Sequence, residues 1–286
     1  MTYVQGKFVA RFTPDFLVRS GWFRKLKFAM LPGYRHMSDH LYRHFYPYMF
    51  HKMKCHLDTI DYDNPRDFMD IMLIEAADPK SAIGYNTITM TIMGLYIGGG
   101  DTVSNTIRWL LLIIAKHPEW QDKCFAELSS VANNNNGHFE QTSCPYTCAV
   151  LLESRRLNPV ADSLPHQATA DLLVDGYHFK KGTIFLGSLY AIMHNAVYFP
   201  EPEQFKPERF LKHGNTFVND PRVCNFSLGK RNCVGKHIAQ TFYFEIVAAI
   251  VVNFKLECDT DTAMVSDVNV GSINVPREFK MKFIPR

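Results

Sequence analysis

This sequence predicts a mainly α-helical fold with small β-sheets set to one side, on three observations. Strong breakers cut the first half into long apolar stretches of helical character: Asp63-Asn64-Pro65, Asp78-Pro79, His117-Pro118 and Asn158-Pro159. After Pro159 the pattern changes to short apolar runs around tight-turn dipeptides, the mark of strands. No internal repeat is visible, which leaves out solenoids and propellers. With 286 residues, 47% of them hydrophobic, there is core enough for one large domain or two small ones.

Residues Gly6 to Leu57 alternate aromatic with basic side chains and break at Leu31-Pro32-Gly33, which reads as two helices and a loop. Arg66 to Ala77 is the next helix, followed by a long one from about 82 to 115. Glu119 to Val131 is amphipathic, and Asn133 to Gly137 is a polar loop tip without apolar content. Pro145 suits a helical first turn, and that helix runs through Arg156. Leu172-Leu173-Val174 and Tyr177-His178-Phe179 read as two strands about Asp175-Gly176, with another strand at Thr183 to Leu186. Four prolines from Pro200 to Pro221 predict an irregular meander. Lys236 to Asn253 is a final apolar helix, and the tail from Val265 has strand character with a turn near Gly271.

Composition excludes several classes. A net charge of +3, without basic residues interleaved with aromatics along a strand, gives no ground for nucleic acid as a partner. Seven cysteines at irregular spacing form no disulfide framework, and no Cys-x-x-Cys pair suggests a zinc ribbon. Met1 to Arg11 holds no apolar core for a signal or an anchor. Ser81 to Gly100 is uncharged and nearly long enough to span a bilayer. Its glycines, and Asp101, Asn105 and Arg108 directly after it, argue for a buried helix instead.

The segment from Phe226 to Gly235, Phe-Ser-Leu-Gly-Lys-Arg-Asn-Cys-Val-Gly, places Cys233 where a metal centre could use it. A thiolate needs positive surroundings and backbone N–H donors; Lys230, Arg231 and the helix starting after Cys233 supply them. Gly229 and Gly235 let the backbone turn sharply against a flat ligand, and Phe226 offers an aromatic wall. A buried structural cysteine in a glycine-containing turn is the competing reading. Elsewhere, Glu153-x-x-Arg156 sets a carboxylate and a guanidinium on one helical face, a pair common on solvated surfaces. Gly98-Gly99-Gly100-Asp101-Thr102 puts three glycines inside the long helix at a cost of about 2–3 kcal/mol relative to alanine. Close approach of a ligand, a locally opened turn, or tight packing on a neighbouring helix would each account for them. His36, His40 and His44 stand at i, i+4 spacing and could form a metal face. No carboxylate base sits among them, and Tyr42, Arg43, Phe45 and Lys52 suggest an amphipathic surface instead.

The pattern Phe-x-x-Gly-x-Arg-x-Cys-x-Gly resembles the haem-ligand loop of the cytochrome P-450 family, in its animal microsomal branch. Glu153-x-x-Arg156, the Pro207-Glu208-Arg209-Phe210 segment and the glycine-rich helix motif stand in that family's order, from about Thr13 to Arg286. Cys144-Pro145-Tyr146-Thr147 and Val275-Pro276-Arg277 add to the match. The resemblance implies a single partial P-450 domain over 1–286, truncated at its N-terminus. Its parts would be pocket-roof helices (about 1–80), an oxygen-activating helix (82–115), the Glu-x-x-Arg helix (145–157), the meander and haem loop (195–235), the final helix (236–253) and C-terminal strands (265–286). The relatives' Trp-x-x-x-Arg contact to the haem has no counterpart, since Trp22, Trp109 and Trp120 lie elsewhere.

By that resemblance the cofactor is haem b, iron protoporphyrin IX, with Cys233 as its proximal ligand. Phe226, Gly229, Arg231, Gly235 and His166 would surround it, Arg231 and His166 facing the propionates. Thr102 would hydrogen-bond dioxygen and Asp101 would help deliver protons; Val103, where relatives carry Thr or Ser, removes one hydroxyl from that relay. Glu153, Arg156 and Arg209 would form a buried charged triad, and Ile97, Gly98, Leu164 and Ile273 would wall the pocket. The implied activity is a monooxygenase that inserts one atom of dioxygen into an apolar organic substrate of xenobiotic, steroid or fatty-acid class. Electrons would come from an NADPH-dependent reductase docking near Lys230, Arg231 and Lys236. The implied place is the cytoplasmic face of the endoplasmic reticulum membrane, with residues 12–28 touching the bilayer surface. The alternative is an inactive fragment persisting as a membrane-associated or haem-binding remnant.

Overall fold

A computed structural model describes residues 41–134, 137–213, 215–259 and 273–286. Leu31-Pro32-Gly33, His36, His40, the stretch 12–28 and the turn near Gly271 lie outside the described residues. The chain divides into two compact units whose border falls between Asp101 and Thr102. That border lies inside one continuous helix.

In the first unit a π-helical turn, Leu41–Phe45, leads into α1 (Tyr46–Leu57), which buries Met49 and Met53. Helix α2 (Phe68–Ala77) starts two residues later than Arg66. Asp67 explains the start: extended at φ −157°, its carboxylate accepts the N–H groups of Met69 (2.9 Å) and Asp70 (3.1 Å). Met49, Met53, Met69, Met72, Leu73 and Ile88 pack into one small core. Asp70 is fully buried beside it and fastens α1 to α2. It accepts from Arg66 Nε (2.7 Å) and pairs with His56 Nδ1 (2.7 Å). His56, Asp67 and Asp70 also offer ligand atoms within 4.8 Å of one another. Arg66 already occupies Asp70 there, and its guanidinium opposes a cation.

Helix α3 runs Tyr85–Lys116, unbroken through Gly98-Gly99-Gly100. A Cβ at any of the three would meet nothing within 4 Å, so neither tight helix packing nor an opened turn explains them in this structure.

The second unit begins with the C-terminal half of α3. Leu110 and Ile114 pack with α4 (Pro118–Asn134), α5 (Pro145–Leu157) and α7 (Lys236–Asn253) through Leu128, Val150, Leu151, Phe244, Val247 and Val251. Two polar groups, half-buried Glu127 and buried Gln121, tie these elements together. Glu127 accepts the N–H groups of Tyr146 and Thr147 (2.8 Å each) and so fills the orphan donors at the start of α5. Gln121 exchanges hydrogen bonds with the backbone of Leu256.

Four antiparallel pairs make the sheets: β1 (Ser163–Gln167) with β4 (Ile184–Ser188), β2 (Leu172–Val174) with β3 (Tyr177–Phe179), β5 (Leu211–Lys212) with β6 (Thr216–Phe217), and β7 (Phe254–Cys258) with β8 (Met281–Pro285). The β2–β3 turn has Asp175 at φ 48° and Gly176 at φ 83°, the doubly left-handed form that two-residue hairpins favour. Strand β1 was not predicted because Pro165 in its middle cannot donate to a ladder; here the strand has one partner only, opposite Leu186. The short α6 (Leu189–Met193), held by Ser188 accepting from Ala191 N–H, is a single turn with no periodic signal.

Among the described residues no helix is long and apolar enough to cross a membrane.

Candidate active site

The loop before α7 is a knot of backbone hydrogen bonds around one sulfur. Cys233 N–H donates to Phe226 C=O (2.8 Å), Ser227 N–H to Cys224 C=O (2.8 Å), and Lys236 N–H to Cys233 C=O (3.3 Å). Closing so short a loop requires left-handed backbone at Ser227 (φ 60°) and Gly229 (φ 75°). Gly235 caps α7, and a Cβ there would stand 3.9 Å from Cys233 Sγ. Cys233 is exposed, at the positive end of an 18-residue helix. Val234 (84% exposed), Leu228 (68%), Ile238 (63%) and Phe242 (50%), on the loop and the first turns of α7, are exposed apolar side chains.

Cys233, Phe226 and Arg231 line a cavity of about 250 Å³, together with Thr102 from α3 and Leu164 from β1. The cavity therefore joins elements more than 130 positions apart in the chain. Thr102 C=O accepts the Thr106 hydroxyl at 2.8 Å, and the hydroxyl of buried Tyr243 is hydrogen-bonded to Thr106 in turn. Arg155 and Asn225 complete the wall, and no carboxylate is part of it.

Beneath the loop, Glu153 and Arg156 are wholly buried. Arg156 grips the carboxylate with Nε (2.7 Å) and a terminal nitrogen (2.9 Å), and donates to the carbonyls of Met193 (2.8 Å) and Pro202 (2.7 Å). Arg209 Nε reaches the same carboxylate at 3.2 Å, and Lys206 N–H at 2.9 Å. Arg209 also donates to the carbonyls of Pro200 and Glu201, so these cations thread the meander onto α5.

Of the residues singled out from sequence, the cavity gathers Thr102, Leu164, Phe226, Arg231 and Cys233. His166 is exposed on β1 opposite Phe185, and Ile273 is half-buried; neither lines the cavity. Ile97, Gly98 and Asp101 belong to the first unit; Ile97 is 38% exposed, and burial raises the Asp101 carboxyl above its ordinary range. Arg155, Thr106, Asn225 and Tyr243 were not singled out. The doubled arginine Arg155-Arg156 was the one signal for the first of them.

A haem fits this donor set. An exposed cysteine, a guanidinium and an aromatic ring line one cavity, and exposed apolar side chains follow the cysteine on the loop and α7.

A family model described as Cytochrome P450 matches residues 19–283. Cytochrome P450 2E1 of Mus musculus is 36% identical over 248 residues, 84% of this chain and 50% of that protein. Cytochrome P450 2C55 of Mus musculus is 33% identical over 265 residues, 90% of this chain and 54% of that protein. The chain belongs to the cytochrome P450 family, and its mainly helical fold with small antiparallel sheets is that of the family. It spans about half the length of the curated relatives it matches.

Proposed function

We propose that this chain carries the haem-thiolate half of a monooxygenase, which converts an apolar substrate, dioxygen, two electrons and two protons into hydroxylated product and water. The observation that carries the reading is the shared cavity of Cys233, Thr102 and Arg231. Cys233 would hold the haem iron through its thiolate, with Phe226 beside the sulfur and Arg231 pairing with a propionate. When bound, the haem supplies the centre for dioxygen activation, and thiolate donation favours O–O cleavage, as in haem-thiolate proteins generally.

This chain's residues supply the rest. Burial raises the Asp101 carboxyl, so it keeps its proton to higher pH than an ordinary aspartate. The Thr102 hydroxyl next to it passes protons into the site, and the Thr106 bond to the Thr102 carbonyl holds that turn in place. Leu164, Val160 and Ala161 exclude water. Glu153, Arg156 and Arg209 act on structure rather than on the reaction. An NADPH-dependent reductase would dock where Lys230, Arg231 and Lys236 lie near the sulfur, and the place of action would be the endoplasmic reticulum membrane.

The test is the carbon-monoxide difference spectrum of the reduced, haem-loaded protein. The expected result is the red-shifted Soret band of a thiolate ligand, lost in Cys233→Ala. An unchanged band in that variant refutes the assignment, and tight haem without turnover favours a non-catalytic haem-binding domain.

A further inference from the structure

Arg155 and Arg156 are neighbours on α5 with opposite fates. Arg156 meets a carboxylate and three carbonyls. Arg155 turns the other way, into the cavity wall. Its Nε donates to Leu151 C=O (3.1 Å), within its own helix. Its guanidinium lies between two rings, 5.8 Å from the centre of Phe226 and 5.6 Å from that of Tyr243. No acidic side chain pairs with it among the described residues, and none lines the cavity. Burial pushes its pKa down to about 10, as expected of a desolvated cation without a counter-charge. Asn225, which donates to Arg155 C=O at 2.8 Å, has a buried side-chain oxygen with no partner in the same wall.

We propose that Arg155 is a second anion-binding residue of this cavity, in addition to Arg231, and that the cavity takes a ligand with an apolar body and a carboxylate. A guanidinium left without its counter-ion in an apolar wall is destabilising, and an entering carboxylate supplies both the charge and the two acceptors its planar fork requires. The rings of Phe226 and Tyr243 hold the fork in one plane beforehand, so little freedom is lost on binding. Two sources share this chemistry: a propionate of the tetrapyrrole, which rests on the haem reading above, and a free fatty acid, which does not. The Asn225 oxygen would accept from a water or acid proton brought in with the ligand.

The experiment is a binding titration rather than a turnover assay. The full chain, its Arg155→Gln variant and its Arg155→Lys variant are titrated with hemin and with hemin dimethyl ester, followed by the Soret band. Each unloaded protein is also titrated with dodecanoate by calorimetry. If the propionate is the ligand, the unaltered chain prefers hemin to its ester by about tenfold or more. Arg155→Gln then loses most of that preference and Arg155→Lys keeps part of it. If the free acid is the ligand, the hemin preference survives in Arg155→Gln while dodecanoate affinity falls about tenfold. Unchanged affinities for all three ligands in Arg155→Gln overturn the proposal. The urea midpoint of Arg155→Gln is expected to be equal or higher, because the substitution removes an uncompensated cation, so misfolding is separable from lost binding. Failure of the thiolate spectrum would remove the haem reading and leave the dodecanoate arm standing.

Discussion

Replacing Glu153 with glutamine changes one atom and should cost more stability than almost any other isosteric substitution in this chain. Four N–H groups converge on the carboxylate: two from Arg156, one from Arg209 and the backbone of Lys206, at 2.7–3.2 Å. A carboxamide can accept on its oxygen, but its NH2 then faces donors already aimed at that position. The substitution also leaves Arg156 as a wholly buried cation without a counter-charge. Breaking a buried pair from one side costs about 3–5 kcal/mol, a large share of the roughly 5–15 kcal/mol that holds a domain folded. With a urea dependence of about 2 kcal/mol per molar, the midpoint should fall by about 1.5–2.5 M. The assay is urea unfolding followed by circular dichroism, with Glu208→Gln as control. Glu208 pairs with Lys123 at 3.8 Å with both side chains 58% exposed, so its loss should cost about 0.5 kcal/mol or less. A Glu153→Gln cost no greater than that of the control would refute the reasoning.

Two further perturbations probe other parts of the chain. Asp70 is held well below the usual carboxylate range, chiefly by the Arg66 hydrogen bond and also by His56. Its folded pKa lies below its unfolded value of about 3.9, so the stability it confers is present above that pH and drains away as acid protonates the folded form. The urea midpoint of the first unit should therefore drop below about pH 4, and drop less steeply in Asp70→Asn; parallel curves for the two proteins would contradict this. Gly229 sits at φ 75° with open space where a Cβ would go, so Gly229→Ala carries backbone strain and no clash. It should lose about 1–2 kcal/mol by equilibrium unfolding, and an unaltered midpoint would show that the loop relaxes.

Much of this protein is legible in its residue order because the information is local. Asp175-Gly176 dictates a left-handed turn, Pro145 marks a helical first turn, and the Phe226 to Gly235 pattern carries its own backbone requirements at Gly229. Each depends on sterics within a few positions. Other features depend on partners far along the chain. Strand β7 exists because β8, more than 20 residues later, supplies its ladder, and Leu256 is paired by Gln121 from another helix. Periodicity could not show that Arg156 faces a buried carboxylate while Arg155, one residue earlier, faces a cavity. A helix turns its successive side chains about 100° apart, and only the packed neighbours decide what each one meets. The residue order thus determined that a thiol stands at the mouth of a helix in a tight glycine loop. Which hydroxyl, rings and cations share its cavity was decided by tertiary packing, because charge and burial are properties of surroundings that the chain assembles only on folding.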